Sequence, residues 1–394
     1  MKTKIVHVVY QFHPDMGYDS NLFARFAHPQ LEVVILTSDN LDLWNVTAKD
    51  VQTADSRIEE QYGVEIIRLG SFKTGKKKAG VFMKGLNRKI EEINPEIVFY
   101  HGLESPTYAW SIIRQIGKRF ITADTHTLFS QFKDVTFIGG IYLNLIFKPL
   151  IVNRLKKINA PMFYTALENK KVLQWFGFEE NQIFDNEICT DVELFRKEEI
   201  QFKDFLPQTN FQGKVLLYTG KFDHFKQPDI ILDAISTIED QIDFPLDLVF
   251  VGPKNEEYQN RHFKRTFSNE LIQIHLLGPA KNHELYQYYS AADIAVFPKQ
   301  NTLSSLDAQA CGLPVIMERD ETNEERLKEG GLCYEPENVS DLGAQILKLL
   351  KDETLVKTLS ENGRNYMHER YNYKKKMTDI QEMLLQQYLE TQKA

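Results

Sequence analysis

The feature that most constrains the fold is a regular alternation of short β-branched runs with longer helix-compatible segments. In the first half these runs are KIVHVVY, LEVVILT, GVEIIRL, PEIVFYH, RFITAD and APMFYTA. After a polar stretch the pattern begins again with KVLLYTG, LDLVFVG, IQIHLLG, ADIAVFP and LPVIME. Strands that alternate with helices are typical of parallel-sheet α/β domains. The sequence therefore predicts two doubly wound α/β units in tandem.

The length of 394 residues suits two domains, each large enough to bury its own core. Residues 195–214 are polar and lack clean periodicity, and we interpret them as a linker. After the last strand signal, helical apolar spacing continues to the end without a proline. The predicted domains are residues 1–198 and 199–372, followed by a C-terminal helix over 373–394.

Charge and cysteine content exclude some classes of function. A net charge of −8 and a pI near 5.8 provide no general field for nucleic acid, so no nucleic-acid partner is expected. Cys189, Cys311 and Cys333 have no CxxC spacing, which predicts neither a disulfide framework nor a zinc site. These features fit a reducing cytoplasm.

The most apolar window, residues 137–158, is interrupted by Asn144, Lys148 and Pro149 and is too short to span a bilayer. Two interpretations remain for it. The sequence favours a buried helix, and the alternative is a peripheral contact between its basic end and an anionic membrane surface.

Two strand exits in the second half carry groups that suit a nucleotide. The strand VLLYT leads into GKFDHFKQPD, where Gly220 allows close backbone approach and Lys221 and Lys226 supply two cations for a diphosphate. The strand DIAVF leads into a hydroxyl-rich turn and Asp307, which could accept hydrogen bonds from a ribose diol. The structural alternatives are ordinary surface lysines and an acid that only stabilises a helix N-terminus.

These segments resemble the retaining nucleotide-sugar glycosyltransferases of family 4, which have the GT-B fold. The resemblance is strongest in YTGKFDHFKQPDIILDAI, YYSAADIAVFP and LDAQACGLPVI, and weaker in NEICTDVELF and in VVYQFHPDMGYDSN. It implies two Rossmann-like domains that face each other across a cleft, with a C-terminal helix that crosses back to the N-terminal domain. The N-terminal domain would then bind the acceptor and the C-terminal domain the donor.

In the family, arginine usually occupies the position of Lys221, and Lys226 matches a family lysine, so the resemblance implies that both bind the donor diphosphate. Asp307 matches the second glutamate of the E-x(7)-E motif, the residue expected to hold the ribose hydroxyls. The first glutamate is missing, and Lys299 has its nominal spacing.

That missing glutamate normally contacts the donor sugar. Either Thr302, Ser304 and backbone N–H groups replace it, with Ser305 beside them in the donor site, or the donor is unusual. Loss of transfer activity is the third alternative.

In the first half, His126 follows the strand FITAD, where the family has a histidine close to the reacting sugar. A structural role is the alternative reading. We predict that His126 is catalytic, together with Lys221 and Lys226. The predicted acceptor contacts are His101, Gly17, Asp19 and Asn21.

The resemblance implies transfer of a sugar from a UDP- or GDP-sugar to an acceptor hydroxyl with retention, in the assembly of a bacterial surface polysaccharide or a lipid-linked glycan. No metal or cofactor is expected, because the chain has no D-x-D triplet. The alternatives are a degenerate transferase that serves as a nucleotide-binding partner subunit and a nucleotide-sugar epimerase or phosphorylase. A Rossmann oxidoreductase is disfavoured because no G-x-G-x-x-G follows the first strand.

Overall fold

The computed structural model describes residues 2–14, 23, 25, 27–42, 46–74, 80–127, 140–253, 255–299 and 302–393. The chain forms two compact units, each described here by itself. Unit 1 comprises Met1–Ile188 and Lys374–Ala394, and unit 2 comprises Cys189–Tyr373.

Unit 1 is built on a parallel sheet. Its described strands are β1 (Thr3–Val9), β2 (Leu31–Ser38), β3 (Glu65–Leu69), β4 (Ser71–Thr74), β5 (Gly80–Met83), β6 (Ile97–His101), β7 (Phe120–Thr125), β8 (Met162–Tyr164) and β9 (Ile183–Asp185). The sheet order is β3-β2-β1-β6-β7-β8-β9, and β4 and β5 form a separate antiparallel hairpin. The strand order reverses direction between β1 and β6, as in a doubly wound fold.

Helices pack against this sheet and bury its apolar residues. The described helices are α1 (Ala48–Tyr62), α2 (Leu86–Ile93), α3 (Pro106–Gln115), a π-helix (Tyr142–Val152) that continues into α4 (Asn153–Lys157), α5 (Leu167–Phe176) and a 3₁₀ turn (Glu180–Gln182). Helix α1 begins where the Thr47 hydroxyl accepts a hydrogen bond from the Asp50 N–H at 3.2 Å, and it ends at Gly63 in the left-handed conformation. Strands β1 and β6 are buried along most of their length because both sheet faces are covered.

Unit 2 repeats this architecture with a second parallel sheet. Its described strands are β10 (Lys214–Thr219), β11 (Leu246–Val251), β12 (Ile272–Leu277), β13 (Ile294–Phe297), β14 (Val315–Glu318) and β15 (Gly331–Tyr334). The sheet order is β12-β11-β10-β13-β14-β15, which reverses between β10 and β13. The α/β fold class, with two Rossmann-like units on parallel sheets, is confirmed.

The helices of unit 2 lie between and after these strands. They are α6 (Phe202–Phe205), α7 (Ile230–Ser236), α8 (Glu256–His262), α9 (Leu285–Ala291), α10 (Ser304–Ala310), α11 (Glu321–Leu327), α12 (Val339–Lys351) and α13 (Glu353–Arg370), with 3₁₀ turns at Glu239–Gln241 and Asn282–Glu284.

The last described helix, α14 (Tyr373–Thr391), lies almost entirely within unit 1. It buries Met377, Ile380 and Leu384. The side chain of Gln381 accepts a hydrogen bond from the His28 N–H at 2.8 Å, which ties the helix to the loop before β2.

Two sequence interpretations differ from the structure. Residues 195–214 are not an open linker: Phe195 and Phe202 are buried in unit 2, and Lys197 donates to the Ser290 carbonyl. The predicted boundary at residues 198 and 199 therefore falls inside unit 2. This packing was not predicted because the segment is mostly polar and its buried aromatic residues are widely spaced in the sequence.

The apolar window after residue 139 is a helix that is buried on one face only. Leu143, Phe147 and Ile151 are buried, whereas Leu145 is 69% exposed. The π-helical form accommodates Pro149, which has no N–H for the helical ladder. None of the described helices is long and apolar enough to cross a membrane.

Candidate functional site

Both units present functional groups at the carboxyl edge of their sheets, where the strand order reverses and ligands bind in open α/β folds. In unit 2 this point lies between the neighbouring strands β10 and β13. In unit 1 it lies between β1 and β6.

The exit of β10 in unit 2 passes very close to the exit of β11, and this requires glycine. A Cβ on Gly252 would lie 1.9 Å from the carbonyl oxygen of Gly220. Gly220 has a φ of 151°, and a Cβ there would lie 2.8 Å from the Tyr218 hydroxyl. That hydroxyl donates a hydrogen bond to the Lys221 carbonyl at 2.6 Å, which stabilises the tight turn.

The loop after Gly220 places two lysines at this edge. The carboxylate of Asp223 accepts hydrogen bonds from the N–H groups of Phe225 and Lys226 at 3.0 and 2.9 Å, which fixes the loop. Lys221 is exposed and Lys226 is half-buried. Burial lowers the pKa of Lys226, and the nearby charges of Lys221 and Arg326 lower it further, against the opposing effect of Asp223.

Arg326 was missed by sequence reasoning. It lies in α11, after β14, within the strongly charged stretch RDETNEERLKE, where arginine normally indicates a solvated surface. The structure buries it to 4% exposure. The charge of Arg326 lowers the pKa of Lys226, so the two side chains lie within electrostatic range of each other. The segments that follow β10 and β14 thus each contribute a cation.

The exit of β13 contains the position of the missing glutamate. The Lys299 ammonium forms ion pairs with Glu318 and Glu337. Burial alone would lower the pKa of Lys299, but its bonds to these two carboxylates outweigh burial and raise it. Lys299 is therefore a paired cation, held by Glu318 at the end of β14 and by Glu337.

The predicted hydroxyl residues lie at the start of α10. The Thr302 hydroxyl accepts a hydrogen bond from the Ser304 N–H at 3.3 Å. Ser305 is fully buried, and its hydroxyl donates to the Thr302 carbonyl at 2.8 Å. Thr302 and Ser304 are partly exposed, so these two are the ones whose side chains reach the surface of the site.

Asp307 lies one turn further along α10 and is only 2% exposed. Its Oδ1 accepts a hydrogen bond from the Thr190 hydroxyl at 2.6 Å. Burial raises the pKa of Asp307 to about 8, which the Thr190 bond only partly opposes. The carboxyl group is thus held protonated near neutral pH.

Unit 1 contains a cavity of about 450 Å³ at its sheet edge. The exits of β1, β6 and β7 form much of its wall. Its lining residues are Tyr10, Gln11, Asp42, Lys73, Gly80, Val81, Gly102, Glu104, Ser105, Pro106, His126 and Thr127. Gly17, Asp19 and Asn21, which were predicted to contact an acceptor, lie outside the described residues.

A chain of titratable side chains leads from this cavity into the core. Asp124 accepts from His126 Nε2 at 3.0 Å, from His101 Nδ1 at 2.6 Å and from the Gly102 N–H at 2.8 Å. His101 Nε2 lies 3.0 Å from His7 Nδ1. His126 has 37% of its side chain exposed, whereas the other three side chains are buried.

The electrostatics of this chain fix which groups carry charge. Burial alone would raise the pKa of Asp124, but the charges and N–H groups of His101 and His126 outweigh it and hold that pKa well below its usual range. Burial and the neighbouring His101 hold the pKa of His7 well below its usual range. Asp124 is therefore an anion and His7 is neutral.

His101 was predicted to contact the acceptor, but its side chain is buried and both ring nitrogens have partners within this chain. It lies behind Asp124, and the cavity wall is formed instead by His126 and Glu104. Burial raises the pKa of Glu104 to about 7, and a hydrogen bond from the Thr125 hydroxyl partly opposes this shift. Sequence reasoning missed Glu104 because it lies in a short loop without periodicity.

His101, Asp124 and His126 also form a set whose ligand atoms lie within 4.8 Å of one another. Their distances are those of one carboxylate that accepts hydrogen bonds from two imidazoles. Hydrogen bonding thus accounts for the arrangement without a metal ion.

Comparison with known proteins finds a family match within unit 2. Residues 198–366 match the family Glycosyl transferases group 1. An uncharacterized glycosyltransferase of Methanocaldococcus jannaschii is 32% identical over 155 residues, which cover 38% of this chain and 42% of the relative. D-inositol 3-phosphate glycosyltransferase 1 of Catenulispora acidiphila is 29% identical over 165 residues, 39% of each chain. The matched segments thus span less than half the length of these curated relatives.

Solved structures are similar over nearly the whole chain. A glycosyltransferase from Rickettsia africae has a TM-score of 0.71 at 15% identity, over 98% of this chain and 99% of the other. Anabaena HepE in complex with UDP-glucose has a TM-score of 0.65 at 14% identity, over 97% and 99%. A UDP-N-acetylglucosamine 2-epimerase has a TM-score of 0.59 at 14% identity, over 98% and 96%. The fold is therefore of the GT-B type, which more than one activity uses.

Proposed function

We propose that this protein is a retaining glycosyltransferase of family 4, which transfers a sugar from a nucleoside diphosphate sugar to an acceptor hydroxyl. The observation that carries this proposal is the group of cations Lys221, Lys226 and Arg326 at the sheet edge of unit 2. This edge lies within the segment that matches Glycosyl transferases group 1. A diphosphate is the ligand that such a group of cations binds best.

We assign the donor to unit 2. Lys221 and Lys226 bind the diphosphate beside Gly220, and Asp307 accepts hydrogen bonds from the ribose. Thr302 and Ser304, with Ser305 beneath them, take the place of the missing glutamate. The similarity to a protein solved with UDP-glucose favours a UDP-sugar, with a GDP-sugar as the alternative.

We assign the acceptor to unit 1, including its N-terminal residues Gly17, Asp19 and Asn21. His126 contacts the transferring sugar, and Asp124 fixes its ring by accepting from Nε2 at 3.0 Å. His101 acts as a positioning residue, because its bond to Asp124 holds that carboxylate in place.

In the reaction, the bond between the anomeric carbon and the diphosphate oxygen breaks while the acceptor oxygen bonds to the same face of that carbon. The acceptor proton passes to an oxygen of the departing diphosphate. The lysines stabilise the negative charge that develops on this leaving group, which is the main source of catalysis. Each step is completed by the substrates and these side chains, so we expect activity without a metal or another cofactor.

We place this activity in the bacterial cytoplasm, in the assembly of a surface polysaccharide or lipid-linked glycan. We further propose a peripheral membrane contact through unit 1, which is supported by exposed apolar residues and a basic segment. Leu145 is 69% exposed on the π-helix and Trp110 is 64% exposed on α3, which packs against it. Residues 140–158 carry four cations and no acid, which suits an anionic bilayer.

Co-sedimentation with vesicles of phosphatidylcholine and phosphatidylglycerol tests this contact. Leu145→Glu should abolish binding to the anionic vesicles, whereas Leu389→Glu, at an exposed leucine of α14, should leave it unchanged. Equal binding of the two variants, or no binding of the wild type, would contradict the membrane contact.

The main experiment measures release of the nucleoside diphosphate from a panel of UDP- and GDP-sugars, with and without glycan and lipid-linked acceptors. Proton NMR of the product then identifies the anomeric configuration. We expect release and a product that keeps the donor configuration, undiminished by EDTA. Nucleotide binding without turnover would favour a degenerate partner subunit, and conversion of the donor sugar without its transfer would favour an epimerase.

A further inference from the structure

Arg326 is a buried residue of unit 2 whose Nε–H lacks a hydrogen-bond acceptor in the described part of the chain. The residue is 4% exposed, and no residue that the structure describes accepts a hydrogen bond from its Nε–H. Buried ionised groups in proteins are normally paired and hydrogen-bonded, because an uncompensated charge in a protein interior is destabilising.

Asp320, an acid near Arg326, does not accept this hydrogen bond. Asp320 lies close enough for its charge to be felt by Arg326, but its two carboxylate oxygens accept hydrogen bonds from the Asn323 backbone N–H at 2.8 Å and from the Asn323 side chain at 3.0 Å. Asp320 is thereby the N-cap of α11. Its bonds stabilise the start of that helix and leave the Arg326 Nε–H unsatisfied.

The other neighbours add positive charge. Lys226 lies within electrostatic range of both Arg326 and Lys221, and like charges at close range repel one another. Asp223 opposes this effect at Lys226, whereas the buried Nε–H of Arg326 has no acceptor among the described residues. Lys299, in contrast, is neutralised by Glu318 and Glu337.

We propose that Arg326 is a third phosphate-binding residue of the donor site, which pairs with the diphosphate beside Lys226. This inference rests on the proposed nucleotide-sugar activity of unit 2. A guanidinium presents parallel N–H donors that match two oxygens of one phosphate group, which an ammonium cannot do. Arg326 therefore orients the diphosphate, and Lys221 and Lys226 neutralise it.

The test compares Arg326→Gln and Arg326→Met with the wild type by calorimetric titration of UDP, GDP, uridine and inorganic pyrophosphate. We expect Kd for the wild type's preferred diphosphate to rise about tenfold or more in both variants, with any binding of uridine unchanged. Arg319→Gln is the matched control, since Arg319 lies between β14 and α11, is exposed and already pairs with Glu324 and Glu335. This control should bind like the wild type.

A second readout uses melting temperature and does not depend on activity. Without ligand, Arg326→Met should melt higher than the wild type, because an uncompensated buried charge has been replaced by an apolar side chain of similar length. With saturating diphosphate the order should reverse, because the wild type gains more from the ligand.

The outcomes separate the two proposals. Binding of diphosphate by the wild type and equal binding by both Arg326 variants would overturn the role of Arg326 and leave the donor site intact. Failure of the wild type to bind UDP, GDP or pyrophosphate would overturn the proposed function and this inference with it. If Arg326→Gln does not fold, Arg326→Met decides the question in the same two assays.

Discussion

The sheet edges of the two units differ in how their charges are balanced. In unit 1, Asp124 accepts three hydrogen bonds and lies between two imidazoles, so its negative charge is compensated within the protein. In unit 2, Lys221, Lys226 and Arg326 lie near one another, and the Nε–H of Arg326 has no acceptor among the described residues. The acid of the first edge is thus paired with histidines, whereas the second edge brings like charges together around Lys226.

We infer from this difference that the two edges have different roles in the proposed reaction. A preorganised hydrogen-bonded chain that ends at the partly exposed His126 can position a reacting group with little rearrangement. A cationic edge would gain stability from a bound phosphate, which is why we assign the donor to unit 2. Variants of the two edges should therefore fail in different ways.

Among these variants, Lys226→Ala should show the largest loss of activity. Removing a cation that stabilises the leaving diphosphate should lower kcat/KM by about 10²–10³-fold. The same variant should lose most of the rise in melting temperature that a nucleoside diphosphate produces in the wild type. Lys264→Ala, at an exposed lysine outside the site, is the control and should retain both properties.

His126→Ala should separate the two edges most clearly. Turnover should fall by about 10²-fold because the positioned imidazole is lost. The nucleotide-induced rise in melting temperature should stay at its wild-type value, since unit 2 is unchanged. A loss of nucleotide binding in this variant would contradict the different roles proposed for the two edges.

Asp124→Asn tests whether the chain in unit 1 is held together by charge. We expect a loss of about 2 kcal/mol in the free energy of unfolding, because hydrogen bonds to an ionised acceptor are replaced by weaker ones. Turnover should fall as well, since His126 loses its fixed orientation.

The matched control for Asp124 is Asp247→Asn in unit 2. Asp247 is also a buried carboxylate, bonded to His275 at 2.6 Å, but it lies outside the proposed site. Its substitution should reduce stability and leave turnover per folded molecule unchanged. Equal turnover in both variants would show that the charge of Asp124 has only a structural role.

Asp307→Asn should change the pH dependence of stability. The pKa of Asp307 is raised by burial from 3.8 to about 8, so the folded state keeps a proton that the unfolded chain releases. Stability contributed by this group is therefore present at low pH and lost as pH rises from about 4 to about 8.

The measurement is the melting temperature of the wild type and Asp307→Asn at pH 5 and pH 8.5 without ligand. The melting temperature of Asp307→Asn relative to the wild type should be higher at pH 8.5 than at pH 5, because an amide does not ionise. Asp233→Asn, at an exposed residue that pairs with Arg265, should show no such gain. An identical difference at both pH values would contradict the raised pKa of Asp307.

Sequence patterns predicted most strands, including the short β8, β13 and β14, and missed β9, β15 and the hairpin of β4 and β5. The short strands that were predicted are buried along most of their length and carry continuous apolar runs. β9 and β15 are only partly buried. Burial of Phe195 and Phe202 could not be read from a polar stretch, because it depends on contacts with distant parts of unit 2.

Candidate site residues could be proposed from the sequence where they follow a recognisable strand, and not where tertiary packing brings them together. Lys221, Lys226 and His126 follow strands that the sequence identifies. Asp124 was read only as a strand end, although its register opposite His101 in the sheet brings the two side chains together. Arg326 was hidden because its charged neighbours in sequence indicate a surface helix, whereas its own side chain is buried.

We propose that unit 2 binds a nucleoside diphosphate through its cationic edge, independently of the hydrogen-bonded histidines and Asp124 in unit 1. The most direct test is the melting temperature of the wild type, Lys226→Ala and His126→Ala with saturating UDP, GDP, ADP and CMP. We expect one nucleoside diphosphate to raise the melting temperature of the wild type and of His126→Ala equally, and that of Lys226→Ala much less. No shift in the wild type with any nucleotide, or an equal shift in Lys226→Ala, would contradict it.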